Sequence, residues 1–169
     1  MRWLSHPKLP WITVLVTVLL DQATKQHFAY HFDLGQRWTV IPGLFDLTYL
    51  RNTGAAFSLL AGHTYGRLLL VAISLVAVAG LIWYLRSLRP DQGWLRLGLS
   101  LVLGGAIGNL IDRLLWGEVI DFILVYWRQH YWPAFNLADS AICVGVGLML
   151  WDMWREERQH KQRNLGERA

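Results

Sequence analysis

Apolar residues gather in four long blocks, Leu9 to Leu20, Leu68 to Leu85, Leu97 to Ile111 and Phe135 to Trp151. The second block has eighteen residues and no charge between Arg67 and Arg86. A helix needs roughly twenty such residues to cross about 30 Å of hydrocarbon. The other three reach that length only by taking ionisable residues inside: Asp21 and Lys25 in the first, Asp112 and Arg113 at the end of the third, and Asp139 near the start of the fourth. The pattern predicts a mainly α membrane protein with four transmembrane helices, over about 9–30, 66–86, 95–116 and 134–154. The segments between them, 31–65 and 117–133, lie on one side, and a polar tail runs over 155–169. The first block, preceded by Arg2 and Lys8, has the length of a secretory signal peptide. The residues after it, Asp21-Gln22-Ala23-Thr24-Lys25, lack the small-residue cleavage site such a peptide needs, so a retained helix is expected.

Between the first two blocks the period changes. Gln36 to Ile41 and Leu44 to Leu50 flank Pro42-Gly43, with Phe45, Leu47 and Tyr49 on one side of the second segment and Asp46 and Thr48 on the other. That alternation predicts a small β-hairpin with one apolar face. Arg51-Asn52-Thr53-Gly54 reads as a turn, and Ala55 to Ala61 is apolar enough to touch the bilayer.

Composition agrees with this reading. Glycine included and tyrosine left out, about 59% of the 169 residues are apolar, against roughly 45–50% in soluble domains. The net charge of +4 would suit nucleic acid, but its distribution gives another explanation. Ten of the sixteen basic residues fall in the N-terminus, the 86–96 loop and the C-terminal tail. By the positive-inside rule both termini are cytoplasmic, the hairpin lies on the outer side, and no nucleic-acid partner is required. Trp11, Trp83, Trp94, Trp116, Trp132, Trp151 and Trp154 fall near the expected span ends, as an aromatic belt requires. The single cysteine, Cys143, excludes an internal disulfide and a multi-cysteine metal site, and its apolar surroundings predict an inert packing residue.

The ionisable residues converge in depth. At 1.5 Å of rise per residue, Asp21 lies roughly 18 Å and Asp112 roughly 22 Å from the cytoplasmic starts of their helices, while Asp139 lies about 6 Å below the outer surface. Several charges at one level of a membrane imply a shared, inward-facing polar site. Asp21 and Lys25, four apart, can neutralise each other. Asp112 and Arg113 face different ways and need partners elsewhere, with Asn109 on a face common to both. Gly104, Gly105 and Gly108 offer a surface for close helix approach. Asp121 and Asp139 have no basic residue within four positions. Brought together at low dielectric, two carboxyls share one proton and can act as an acid and base pair. Spacing alone cannot place them in contact: it favours separate structural roles and leaves an ion or proton path as open as the pair. No His-Glu-x-x-His, Gly-x-Ser-x-Gly or phosphate-loop pattern occurs, and a Ser140 nucleophile with Lys25 as base has no motif behind it.

Five strings carry a resemblance: Asp21-Gln22-Ala23-Thr24-Lys25, Arg51-Asn52-Thr53-Gly54-Ala55-Ala56-Phe57-Ser58, Gly104-Gly105-Ala106-Ile107-Gly108-Asn109-Leu110-Ile111-Asp112-Arg113, Val119-Ile120-Asp121-Phe122 and Phe135-Asn136-Leu137-Ala138-Asp139-Ser140. In order and spacing they resemble the blocks of bacterial lipoprotein signal peptidase (signal peptidase II), over about residues 10–150. The resemblance implies an intramembrane aspartyl endopeptidase of the inner membrane, with its site toward the periplasm. It would remove the signal peptide from prolipoproteins, cutting before a cysteine that carries a diacylglyceryl group. It implies Asp121 and Asp139 as the catalytic pair, and Asn52, Gly54, Asn109, Arg113 and Asn136 as supports of the pair or the substrate. Asp21, Lys25 and Asp112 would be structural, the hairpin a periplasmic cradle, and Asn52 to Ala61 a flap. Residues 1–154 would form one peptidase domain, monomeric, in contact with phospholipid and free of metal or cofactor. The competing classes are a small transporter using the carboxylates as a proton path, and an inactive relative that binds lipidated chains.

Overall fold

The computed structural model describes residue 4, residues 6–54 and residues 65–166. Along the chain these form α1 (Leu9–His31), β1 (Arg37–Ile41), β2 (Phe45–Asn52), α2 (Gly66–Ser87), α3 (Gly93–Leu115), β3 (Val119–Trp127), β4 (His130–Tyr131) and α4 (Leu137–Gly166). Of the expected flap, Asn52 to Ala61, residues 55–61 lie outside the described residues.

Helix α3 is the centre of the bundle, with α1, α2 and α4 packed around it. Glycine makes the closest approaches possible. A Cβ at Gly105 would run into the Ala138 carbonyl oxygen, and one at Gly108 into the Asp21 carboxylate, so α3 lets α4 and α1 come nearer than any side chain would allow. At the other end Val14, Leu85, Leu99 and Leu103 make a buried apolar cluster.

Inside and outside are distributed as a bilayer demands. Leu15, Leu19, Leu68, Val76 and Leu150 are exposed, while Lys25, Asp21, Asp112 and Asn136 are among the largest fully buried side chains. Helices α2, α3 and α4 are long and apolar enough to cross a membrane. Helix α1 has the length, 23 residues, but its last turns carry Asp21, Gln22, Lys25, Gln26 and His27. Helix α4 runs past the expected end at 154 to Gly166. As far as Gly166 the tail that reads as polar and solvated is helical, with pairs such as Lys161 and Glu157 at 2.6 Å along it.

The strands depart from the expected hairpin. They form one antiparallel sheet in the order β1-β2-β3-β4, in which β3, from the second outer segment, pairs along β2. The burial of β2 departs from the expectation, although Tyr49 of the expected apolar face is buried. Asp46 and Thr48 are buried, at 4% and 0% exposure, whereas Phe45 and Leu47 are half-buried. Hydrogen bonds make this tolerable: the Thr48 hydroxyl donates to the Gln36 carbonyl at 2.8 Å, and the Tyr126 hydroxyl to Asp46 at 3.0 Å. Strand β2 also runs on through Arg51 and Asn52, where a turn was expected.

Candidate active site

The site is assembled where β3, α3 and the first turn of α4 meet. Just before α4, Phe135 bridges to β3: its N–H donates to the Ile123 carbonyl at 3.0 Å and its carbonyl accepts from Phe122 and Ile123 at 3.1 and 2.9 Å. This clamp sets Asn136 beside Asp121. The buried Asn136 amide nitrogen donates to Asp121 Oδ1 at 2.9 Å and to the Ile120 carbonyl at 3.1 Å. Its backbone N–H donates to Asp139 Oδ2 at 3.2 Å, and its Oδ1 accepts the Asp139 N–H at 3.0 Å. The latter two bonds are the reciprocal pattern of a capping box, so the start of α4 and the carboxylate of Asp139 are positioned by one arrangement.

Each carboxyl has a second amide partner. Asn109, from α3, donates to Asp139 Oδ1 at 2.8 Å. Asn52, from the end of β2, donates to Asp121 Oδ2 at 3.2 Å. Asn52 pairs in register with Val119, and Leu50 with Asp121, so Asn52 reaches Asp121 diagonally across one face of the sheet. The Gly54 N–H donates to Asn52 Oδ1 at 2.9 Å, which leaves the Asn52 amide nitrogen turned toward Asp121. The Arg113 guanidinium donates to the Asn109 and Gly54 carbonyls at 3.3 and 3.4 Å.

Below this lies a buried ionic cluster. Lys25 Nζ meets Asp21 Oδ2 at 2.8 Å and Asp112 Oδ2 at 2.9 Å, with no exposure of the lysine side chain. It also donates to Asn109 Oδ1 at 2.9 Å. The carboxylates take further donors: the Ala138 N–H reaches Asp21 Oδ1 at 2.9 Å, and the Ile120 N–H reaches Asp112 Oδ2 at 3.2 Å. Asn109 Oδ1 therefore accepts from Lys25 and from Asn136, the latter at 3.1 Å. Its Nδ2 is left to donate to Asp139, which couples the ionic cluster to the carboxyl pair.

Burial, and then the neighbouring charge of Asp139, push the Asp121 carboxyl up to about 7; the hydrogen bonds from Asn52 and Asn136 pull the other way. A carboxyl that keeps its proton near neutrality beside a second carboxyl is the electrostatic signature of an acid and base pair.

All ten residues singled out in the sequence fall in this connected network. Gln22 is an addition that sequence reasoning missed. Its amide nitrogen donates to Asp21 Oδ2 at 3.2 Å, the Gly108 carbonyl at 3.2 Å and Asp112 Oδ1 at 2.9 Å. Its position next to Asp21 in the first motif string was the available signal. Lys25 and Ser140 are not partners, since the Ser140 hydroxyl donates to the Asn136 carbonyl at 2.9 Å. Cys143 is exposed on α4 and is not the packing residue expected; an apolar run in such a helix faces outward as readily as inward.

Comparison with known proteins gives a consistent result. The sequence model of the family described as Signal peptidase (SPase) II matches residues 13–155. The chain is 51% identical over 153 residues to the lipoprotein signal peptidase of Geobacter metallireducens, covering 90% of this chain and 94% of the relative. It is 49% identical over 155 residues to that of Pseudomonas aeruginosa, covering 89% and 91%. A bacterial membrane enzyme solved by the in meso method at 2.3 Å superposes with a TM-score of 0.79 at 29% identity, over 90% of this chain and 91% of that one. A second, at 1.9 Å, gives 0.74 at 30% identity, over 88% and 94%.

Proposed function

The chain belongs to the signal peptidase II family, a membrane protease that removes signal peptides from prolipoproteins, and from that premise we propose that Asp121 and Asp139 are its catalytic pair. The observation that carries this reading is the joining of the two carboxyls through one residue, Asn136, whose buried side-chain amide donates to Asp121 and whose backbone N–H donates to the Asp139 carboxylate. The pair holds one proton between its two members. The ionised carboxylate takes a proton from a water molecule as the oxygen attacks the scissile carbonyl, and the protonated one donates to the carbonyl oxygen. Collapse of the tetrahedral intermediate breaks the C–N bond, and a proton from the pair goes to the leaving amine. The products are a signal peptide with a free carboxylate and a lipoprotein with a free amino group on its lipidated cysteine. No acyl-enzyme forms and no metal is needed. Asn52, Asn109 and Asn136 hold the carboxyls in place, and Gly54 and Arg113 line the approach.

Four spans with both termini cytoplasmic set this pair at the outer level of the inner membrane. Helix α1 completes the count, because its charges are buried against α3 and its outer face is apolar, with Leu15 and Leu19 exposed. A diacylglyceryl-anchored substrate holds its scissile bond at that level, and the enzyme acts as a monomer surrounded by phospholipid. The test is cleavage of a purified diacylglyceryl prolipoprotein in detergent, followed by gel shift, where no gradient exists. Turnover there agrees with a peptidase, whereas binding without turnover, or activity that needs a gradient, would overturn it.

A further inference from the structure

We propose that the apolar helix of the signal peptide docks on one flank of α4, the flank that runs from Asp139 through Cys143 and Val146 to Leu150. The proposal rests on the peptidase reading above. Helix α4 has three faces, separated by its 100° of turn per residue. Ala138, Ile142, Gly145 and Met149 meet Gly98, Gly105 and their neighbours on α3, and so define the packed face. Leu137, Ala141 and Val144 lie about 100° to one side, where, with Ser140, they wall a mainly apolar groove with Ile12, Val16 and Leu20 of α1. Asp139, Cys143, Val146 and Leu150 lie about 100° to the other side. Cys143 is exposed, as are Val146 at 40% and Leu150 at 61%.

A peptide whose scissile bond sits at Asp139 must leave the site on the flank that carries Asp139. The groove beside α1 is the better formed of the two surfaces, yet it lies on the wrong side of α4 for such a peptide. The length also fits. Asp139 to Leu150 covers about 16 Å of helix, and a signal peptide's apolar region of roughly 7–15 residues covers about 10–22 Å. With its N-terminus cytoplasmic, the signal helix would run antiparallel to α4, which sets the helix dipoles in opposition.

The native thiol of Cys143 reports on this contact, one turn below Asp139. The full-length Asp121→Asn protein in detergent is mixed with diacylglyceryl prolipoproteins that carry one added cysteine at successive positions of the signal peptide. Copper phenanthroline serves as the oxidant that joins two thiols into a disulfide; the lipidated cysteine is a thioether and does not react. Cys143 should couple best to a cysteine about four residues before the scissile bond. A Val16→Cys reporter in a Cys143→Ser background should not couple. In kinetics, Cys143→Trp should raise KM several-fold at unchanged kcat, while Val144→Trp on the opposite flank leaves both as they are. Coupling at Val16→Cys, or normal KM for Cys143→Trp, would overturn the docking face while cleavage by the wild type still stood. Loss of cleavage by the wild type would instead remove the peptidase reading beneath it.

Discussion

Asn136 and Asp139 hold each other: the Asn136 side-chain oxygen accepts the Asp139 N–H at 3.0 Å, and the Asp139 carboxylate accepts the Asn136 N–H at 3.2 Å. Since the same asparagine also donates to Asp121, the start of α4 and the spacing of the two carboxyls depend on one residue. Asn136→Ala should cost about 1–2 kcal/mol from loss of the cap and reduce cleavage severely. Asn136→Asp keeps a capping oxygen but removes the donor to Asp121 and adds a third carboxyl, so it should stay folded and lose cleavage. Thermal unfolding in detergent beside a cleavage assay separates the two effects.

The raised value of Asp121 predicts how stability responds to pH. Folded, Asp121 keeps its proton up to about 7; unfolded, it releases it near 3.9. Between those values the folded chain binds the extra proton, so stability falls as pH rises across that window. Asp121→Asn should therefore gain thermal stability over the wild type from pH 4 to 7 and hold a constant advantage above it. Unfolding midpoints taken across this range check the sign.

Activity should follow the same proton. Cleavage should decline as pH rises through about 7, where Asp121 ionises and the pair loses its shared proton. The Asn52 hydrogen bond favours the charged form of Asp121. Asn52→Ala should thus shift the alkaline limb to higher pH while lowering the maximum rate. A limb that moves to lower pH would contradict this.

Part of this site was legible in the sequence and part was not. Helical rise and the cost of buried charge are enough to gather Asp21, Lys25, Asp112 and Asp139 at one level without any contact being known. The Asp21 and Lys25 pair was legible too, because a spacing of four lies on one helix face. Strand β3 was missed, although Val119 to Trp127 is rich in β-branched and aromatic residues. Its pairing partner is some seventy residues away, and local alternation carries no signal of that. The buried side of β2 was misjudged for a related reason. Asp46 and Thr48 read as solvent-facing until Tyr126 and Gln36 are known to satisfy them.

The buried lysine offers a sharper structural prediction. Lys25→Met would leave Asp21 and Asp112 buried without their shared cation, a loss of roughly 3–5 kcal/mol. Adding Asp21→Asn to Lys25→Met should recover part of that loss, whereas Asp21→Asn alone should destabilise. Unfolding of the two single variants and the double variant gives the coupling directly.

Close helix approach is testable at glycine. Gly105→Ala sets a methyl against the Ala138 carbonyl, pushing the first turn of α4 away from α3. Overpacking of this kind costs about 1–3 kcal/mol and should also slow cleavage, because Asp139 follows Ala138. Gly80→Ala, where a Cβ meets nothing within 4 Å, should leave activity unchanged.

The proposed joint role of Asp121 and Asp139 in hydrolysis is tested most directly by the cleavage rate of a diacylglyceryl prolipoprotein in detergent by the wild type, Asp121→Asn and Asp139→Asn, each variant first checked for a native size-exclusion profile. Turnover by the wild type and a loss of at least about 100-fold in each folded variant are expected. A folded variant that retains more than a tenth of the wild-type rate would contradict it.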